Sequence, residues 1–133
     1  MGKRILFVED DPSFRDVFTH ALREALVPEQ LDIAFVEAGS LSEARSRLRE
    51  GGLDAALIDV TMPDGDRLDL VQEINDGGVG SPMPTLVLTA YLDHKVATRA
   101  IDAGAQGALS KVVSVPETAE AIRRLIESAN SEA

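Results

Sequence analysis

Short apolar runs, each closed by a polar or charged residue, recur along the chain and alternate with segments of helical periodicity. Ile5-Leu6-Phe7-Val8 gives way to Glu9-Asp10-Asp11-Pro12, Ala55-Ala56-Leu57-Ile58 to Asp59, and Leu86-Val87-Leu88 to Thr89. Runs that are continuous rather than alternating suit strands buried on both faces, as in a parallel sheet covered by helices. Leu31 to Val36 alternates more, with Leu31, Ile33 and Phe35 set against Asp32, Ala34 and Val36, and is expected nearer a sheet edge. Ala108-Leu109 is a weaker fifth strand.

Five helical stretches lie between these runs. Phe14, Val17, Phe18, Ala21, Leu22 and Ala25 follow i, i+3, i+4, i+7 spacing, after Asp11 as N-cap and Pro12 at the first helical position. Ser40 with Glu43 forms a capping box ahead of Leu41, Ala44 and Leu48, and Gly51-Gly52 ends that helix. Leu68, Val71 and Ile74 precede Gly77-Gly78, and Val96, Ala100 and Ile101 precede Gly104. Ser114 with Glu117 opens the last helix, whose expected buried residues are Val115, Ala119, Ile122 and Ile126. Five strand–helix units with short connections predict an α/β doubly wound open sheet. A chain of 133 residues has room for one such domain. The division expected is a domain over residues 1–127 and a polar C-terminal tail or linker stub over 128–133.

Composition removes several function classes. Cysteine is absent, which excludes disulfides, thiolate nucleophiles and Cys-built metal sites. The net charge of −10 disfavours direct contact with nucleic acid, which needs a basic footprint. No apolar run approaches the ~20 residues of a membrane span. The start, Met1-Gly2-Lys3-Arg4, lacks a signal-peptide core, so the expected compartment is the cytoplasm.

In a doubly wound sheet, ligands bind outside the carboxyl ends of the strands, where strand order reverses. The polar residues of this chain fall at those ends: Glu9 and Asp10 after the first strand, Asp59 after the third, Thr89 after the fourth and Lys111 after the fifth. Taken singly, Asp59 reads as a turn cap, Thr89 as a strand residue and Lys111 as a solvated charge; their shared rim raises them. Several hard oxygen ligands suit Mg²⁺, which binds through few carboxylates and keeps waters for a phosphate to displace. A carboxylate beside that ion can act as nucleophile toward phosphorus, with the Lys111 ammonium and Thr89 hydroxyl neutralising charge on the transferring oxygens. His20 and His94 have no ligand spacing, and Gly77-Gly78-Val79-Gly80 is no phosphate-binding loop. Arg45, Arg47, Arg49 and Glu50 are expected to form a solvated helix face.

Four segments together resemble a known family. Ile5-Leu6-Phe7-Val8-Glu9-Asp10-Asp11, Leu57-Ile58-Asp59-Val60-Thr61-Met62-Pro63-Asp64-Gly65, Leu88-Thr89-Ala90 and Gly104-Ala105-Gln106-Gly107-Ala108-Leu109-Ser110-Lys111 are similar to the receiver domain of two-component response regulators. The resemblance implies a flavodoxin-like five-stranded parallel sheet of order 2-1-3-4-5 with five helices. It implies Asp59 as phosphoacceptor, fed by a sensor histidine kinase or phosphotransfer protein. It implies Glu9, Asp10, Asp59 and the Thr61 backbone carbonyl as Mg²⁺ ligands, Thr89 as the switch hydroxyl and Lys111 as the contact to phosphoryl oxygens. It places the output domain or effector on the face of the fourth helix, fifth strand and fifth helix, and allows a homodimer.

Three positions depart from the family's pattern. Ala108 stands where an aromatic residue usually swings inward on activation, Val112 where proline often follows the lysine, and Arg67 where glycine is usual. A cis bond to Val112 would cost about 2.5–4 kcal/mol, so trans is expected. Thr61 and Tyr91 lie two residues past Asp59 and Thr89, and the Tyr91 ring is expected to hinder the water that hydrolyses the acyl phosphate. Two rival functions are weighed. A haloacid dehalogenase-type phosphatase needs a second Asp two residues past its nucleophile, where Thr61 stands. A degenerate receiver used only for docking or dimerisation is favoured by Ala108 and opposed by the complete acidic site, since clustered buried carboxylates are unfavourable without a cation.

Overall fold

A computed structural model of the chain describes residues 2–26, 32–60, 67–90, 92–111 and 115–131. The elements alternate without exception: β1 (Lys3–Val8), α1 (Pro12–Leu26), β2 (Ile33–Ala38), α2 (Leu41–Glu50), β3 (Ala55–Asp59), α3 (Arg67–Asp76), β4 (Thr85–Thr89), α4 (His94–Ala103), β5 (Ala108–Ser110) and α5 (Val115–Ser131). The strands form one parallel sheet in the order β2-β1-β3-β4-β5, the flavodoxin-like arrangement expected from the sequence. The direction of winding reverses between β1 and β3, which puts a crevice at their carboxyl ends.

The continuous apolar runs are explained by the two layers of helices. Alternate residues of the central strands serve opposite faces. Ile5, Phe7, Leu57, Leu86 and Leu88 pack with Phe18, Leu22 and Ile122 beneath α1 and α5. Leu6, Val8, Ile58 and Val87 pack with Leu48, Leu70, Val71 and Ile74 beneath α2, α3 and α4. Every residue of β3 and β4 is buried. β2 lies at the edge, as its alternation suggested.

Helix ends follow the local chemistry. Asp11 Oδ1 accepts from the backbone N–H groups of Ser13 (3.0 Å) and Phe14 (3.3 Å), so α1 starts at Pro12. Ser40 Oγ accepts from Glu43 N at 3.1 Å, while Glu43 Oε1 accepts from Gly39 N at 2.6 Å, a reciprocal cap on α2. α4 ends in a Schellman turn at Gly104, with Gly104 N donating to Ile101 O and Ala105 N to Ala100 O, both at 3.0 Å. Gly104 has φ 109°, and a Cβ there would stand 2.5 Å from Cγ of Asn75, so the glycine permits both the turn and the approach of α3.

Three expectations need correction. The second strand begins and ends two residues later than Leu31–Val36, because Lys3–Val8 pairs with Ile33–Ala38; Leu31 itself lies outside the described residues. Val17 is 72% exposed and Ile101 51% exposed, so the buried stripes of α1 and α4 are narrower than the apolar spacing implied. Arg45 is not merely solvated: its guanidinium binds Glu73 at 2.9 Å and ties α2 to α3. In α5, Leu125 joins Ala119, Ile122 and Ile126 in the core. Ser114, Val112 and the Met62–Gly65 turn lie outside the described residues, as does the side chain of Val115.

Candidate functional site at the strand rim

Backbone bonds between neighbouring strands carry the polar residues to one place. Past the end of β1, Glu9 N donates to Ala38 O at 3.0 Å, which keeps Glu9 on the sheet and buries it completely. Asp10 follows at an exposed bend. Asp59 closes β3, 1% exposed and in register with Leu88 of β4. Thr89 closes β4 and is also buried. Lys111 N donates to Thr89 O at 2.8 Å, and that bond turns the chain after β5 back across the rim.

The side chains complete the arrangement. Glu9, Asp10 and Asp59 each offer a carboxylate oxygen, and these three atoms all lie within 4.8 Å of one another. Lys111 Nζ stands 2.7 Å from Glu9 Oε1 and 2.8 Å from Asp59 Oδ2, with its side chain 17% exposed. One ammonium thus faces a cluster of three carboxyl groups. Burial, with the Asp59 carboxyl beside it, pushes Glu9 up to about 7 against the pull of Lys111. Burial opposes the charge of Lys111, yet its bonds to Asp59 and Glu9 outweigh that and raise its pKa above the ordinary lysine value. The donor set is all oxygen and partly open at Asp10, and it fits a hard divalent cation such as Mg²⁺.

The sequence-expected residues therefore separate into two groups. Glu9, Asp10, Asp59 and Lys111 are brought together, and Thr89 ends the strand next to that of Asp59. Thr61 and Tyr91 lie outside the described residues. His20 and His94, which have no ligand spacing in the sequence, are both exposed.

Two residues that sequence reasoning assigned no role also reach the site. Arg15 Nη1 donates to the Glu9 carbonyl at 2.7 Å, and its Nε lies 3.4 Å from Glu37 Oε2, so one guanidinium ties the acidic loop to β2. Phe14, read as a member of the core stripe, places its ring centroid 4.2 Å from Lys111 Nζ. The available signal was their place in the first turn of α1, where the helix leaves the rim.

Comparison with known proteins gives one consistent likeness. The family described as the response regulator receiver domain matches residues 5–123. The response regulator protein PilR of Pseudomonas aeruginosa is 32% identical over 131 residues, covering 98% of this chain and 28% of PilR. The swarming motility regulation protein RssB of Serratia marcescens is 32% identical over 113 residues, covering 85% of this chain and 48% of RssB. The chain thus spans about half or less of the length of these relatives. A CheY-like response regulator receiver domain protein from Methanospirillum hungatei superimposes with a TM-score of 0.80 at 22% identity, with 100% of both chains covered.

Proposed function

The chain belongs to the receiver domains of two-component response regulators, a signalling family rather than a dedicated enzyme family, and we propose that Asp59 accepts a phosphoryl group from a phosphohistidine of a sensor kinase or phosphotransfer protein. The observation that carries this reading is the setting of Asp59: a buried carboxylate at the end of a central strand, 2.8 Å from an ammonium and grouped with two further carboxyl groups.

In the transfer, an Asp59 carboxylate oxygen attacks phosphorus. The new O–P bond forms as the donor's P–N bond breaks, and the electron pair leaves on the imidazole nitrogen, which takes up a proton. Such a step asks chiefly for positioning and for neutralisation of charge on the transferring oxygens. Glu9, Asp10, Asp59 and the Thr61 carbonyl are the residues that would hold Mg²⁺, which supplies positive charge to those oxygens when bound. Lys111 exchanges its bond to Asp59 for one to a phosphoryl oxygen, and the Thr89 hydroxyl supplies a second donor. Later attack by water returns the free carboxylate.

The output surface in this reading is formed by α4, β5 and α5. Movement at Thr89 reaches β5 through the Lys111 N–Thr89 O bond. Ala108 has no ring to rotate. Beside it lies a cleft of about 240 Å³ lined by Leu86, Gln106, Leu109, Arg124 and Leu125, and Ile101 is exposed on α4. This face is where an output domain or effector would dock, with nucleic acid left to that partner. Among the described residues no helix is long and apolar enough to cross a membrane, and in this reading the domain acts in the cytoplasm.

The test is intact mass after incubation with phosphoramidate, with and without Mg²⁺, beside Asp59→Asn. The reading expects a gain of one phosphoryl group that needs both Mg²⁺ and Asp59. No gain, together with no beryllofluoride binding, would leave a receiver-shaped docking module as the better account, the reading that Ala108 favours.

A further inference from the structure

Lys111 has three N–H donors; Nζ donates to Asp59 Oδ2 at 2.8 Å and forms an ion pair with Glu9 Oε1 at 2.7 Å. The ammonium also meets the face of an aromatic ring, since Phe14 lies with its centroid 4.2 Å from Nζ. That ring is not loose. It stacks on Phe18 at 5.0 Å and 19°, and Phe18 leans on Phe7 of β1 at 5.8 Å and 45°. Phe7 is completely buried in the sheet core. A ladder of three rings therefore runs from Phe7, the penultimate residue of β1, to the rim and ends on the lysine. The backbone is fixed at the same point, because Phe14 N donates to the capping carboxylate of Asp11.

We infer that Phe14 is a positioning residue for phosphoryl transfer, its ring holding the Lys111 ammonium over Asp59 by a cation–π contact. This rests on the reading of Asp59 as acceptor. A lysine side chain has several rotatable bonds and a strongly hydrated head, so an ammonium that must leave one carboxylate oxygen for a phosphoryl oxygen needs a partner that stays in place. The ring is such a partner. It offers negative potential without a hydrogen-bond acceptor, so it neither competes with the phosphoryl oxygens for the N–H groups nor needs to move during transfer. It also covers one side of the ammonium against water.

The discriminating comparison is between aromatic and aliphatic residues of similar bulk. Phe14→Tyr keeps the ring face, while Phe14→Leu and Phe14→Met keep an apolar side chain and lose it. Two quantities are read on the full chain: the initial rate of phosphorylation by phosphoramidate at saturating Mg²⁺, and the proton–nitrogen correlation signal of the Lys111 ammonium in metal-free protein. The chain has only three lysines, Lys3, Lys95 and Lys111, so the signal is assigned by its loss in Lys111→Met. Phe14→Leu and Phe14→Met are expected to slow phosphorylation about fivefold, in line with a partly desolvated cation–π contact, and to broaden the ammonium signal through faster exchange with water. Phe14→Tyr is expected to preserve both. The inference is overturned if the aliphatic variants keep the rate and the signal, or if all three variants lose rate only in proportion to their loss of urea stability. A wild-type chain that takes no phosphoryl group overturns the reading of Asp59 instead, and the ammonium signal then decides the Phe14 contact alone.

Discussion

Replacing Lys111 by Met removes the cation that serves two buried carboxylates at 2.7 and 2.8 Å while keeping the aliphatic stem. Breaking a buried ion pair by deleting one partner costs about 3–5 kcal/mol when the remaining charge stays ionised. Here there is an escape, because Glu9 is already held at about 7 and can take up a proton. The sign follows from that shift. A folded-state value above the ordinary 4.5 means that Glu9's stabilising contribution is fully present below about pH 4.5 and is lost as pH rises through about 7. Without the ammonium the folded-state value rises further, so above about pH 7, where the wild type levels off, the variant goes on losing about 1.4 kcal/mol per pH unit until its own higher value is reached. The expected loss for Lys111→Met is therefore about 3 kcal/mol near pH 8 and about 1 kcal/mol near pH 5. With a urea slope of about 2 kcal/mol per molar, the midpoint should fall by about 1.5 M at the higher pH and about 0.5 M at the lower. Added Mg²⁺ should recover part of the loss near pH 8 by supplying the missing positive charge. Equal losses at the two pH values, or no loss near pH 8, would refute the reasoning that the ammonium compensates these carboxylates.

Three further outcomes are expected. In metal-free protein the fall in stability between about pH 5 and pH 8 should be flatter for Glu9→Gln than for wild type, and Mg²⁺ should raise the wild-type melting temperature more near pH 8 than near pH 5, since a carboxyl must lose its proton to bind metal; thermal melts across pH check both. Gly104→Ala should cost about 2–3 kcal/mol in urea unfolding, because alanine at φ 109° is strained and its Cβ would meet Asn75 at 2.5 Å.

The sequence made the sheet legible because burial on both faces removes alternation from a strand. Ile5–Val8, Ala55–Ile58 and Leu86–Val87–Leu88 read as strands for that reason alone, and the polar residues that stop them marked the rim. The edge strand was harder. Its true end, Glu37-Ala38, looked like loop because Glu37 is charged; on this edge strand its carboxylate stays partly exposed and pairs with Arg15 at 3.4 Å. Periodicity overstated burial on α1 and α4, since Val17 and Ile101 share the spacing of core residues but face outward. Within the site, Glu9, Asp10, Asp59 and Lys111 were readable because strand-end position is a local property. Arg15 and Phe14 were not, because their partners are a backbone carbonyl six residues back and an ammonium on the far side of the sheet's winding. Pairings of that kind are set by topology and leave no spacing to recognise.

The central claim is that one particular carboxylate carries the phosphoryl group. Reduction of the phosphorylated chain with borohydride converts an aspartyl phosphate to homoserine, and tandem mass spectrometry of the peptides then locates it. The account expects homoserine at position 59, formed only in the presence of Mg²⁺. Homoserine at Asp10, Asp64 or another carboxylate, or none in a chain that has gained phosphate, would contradict it.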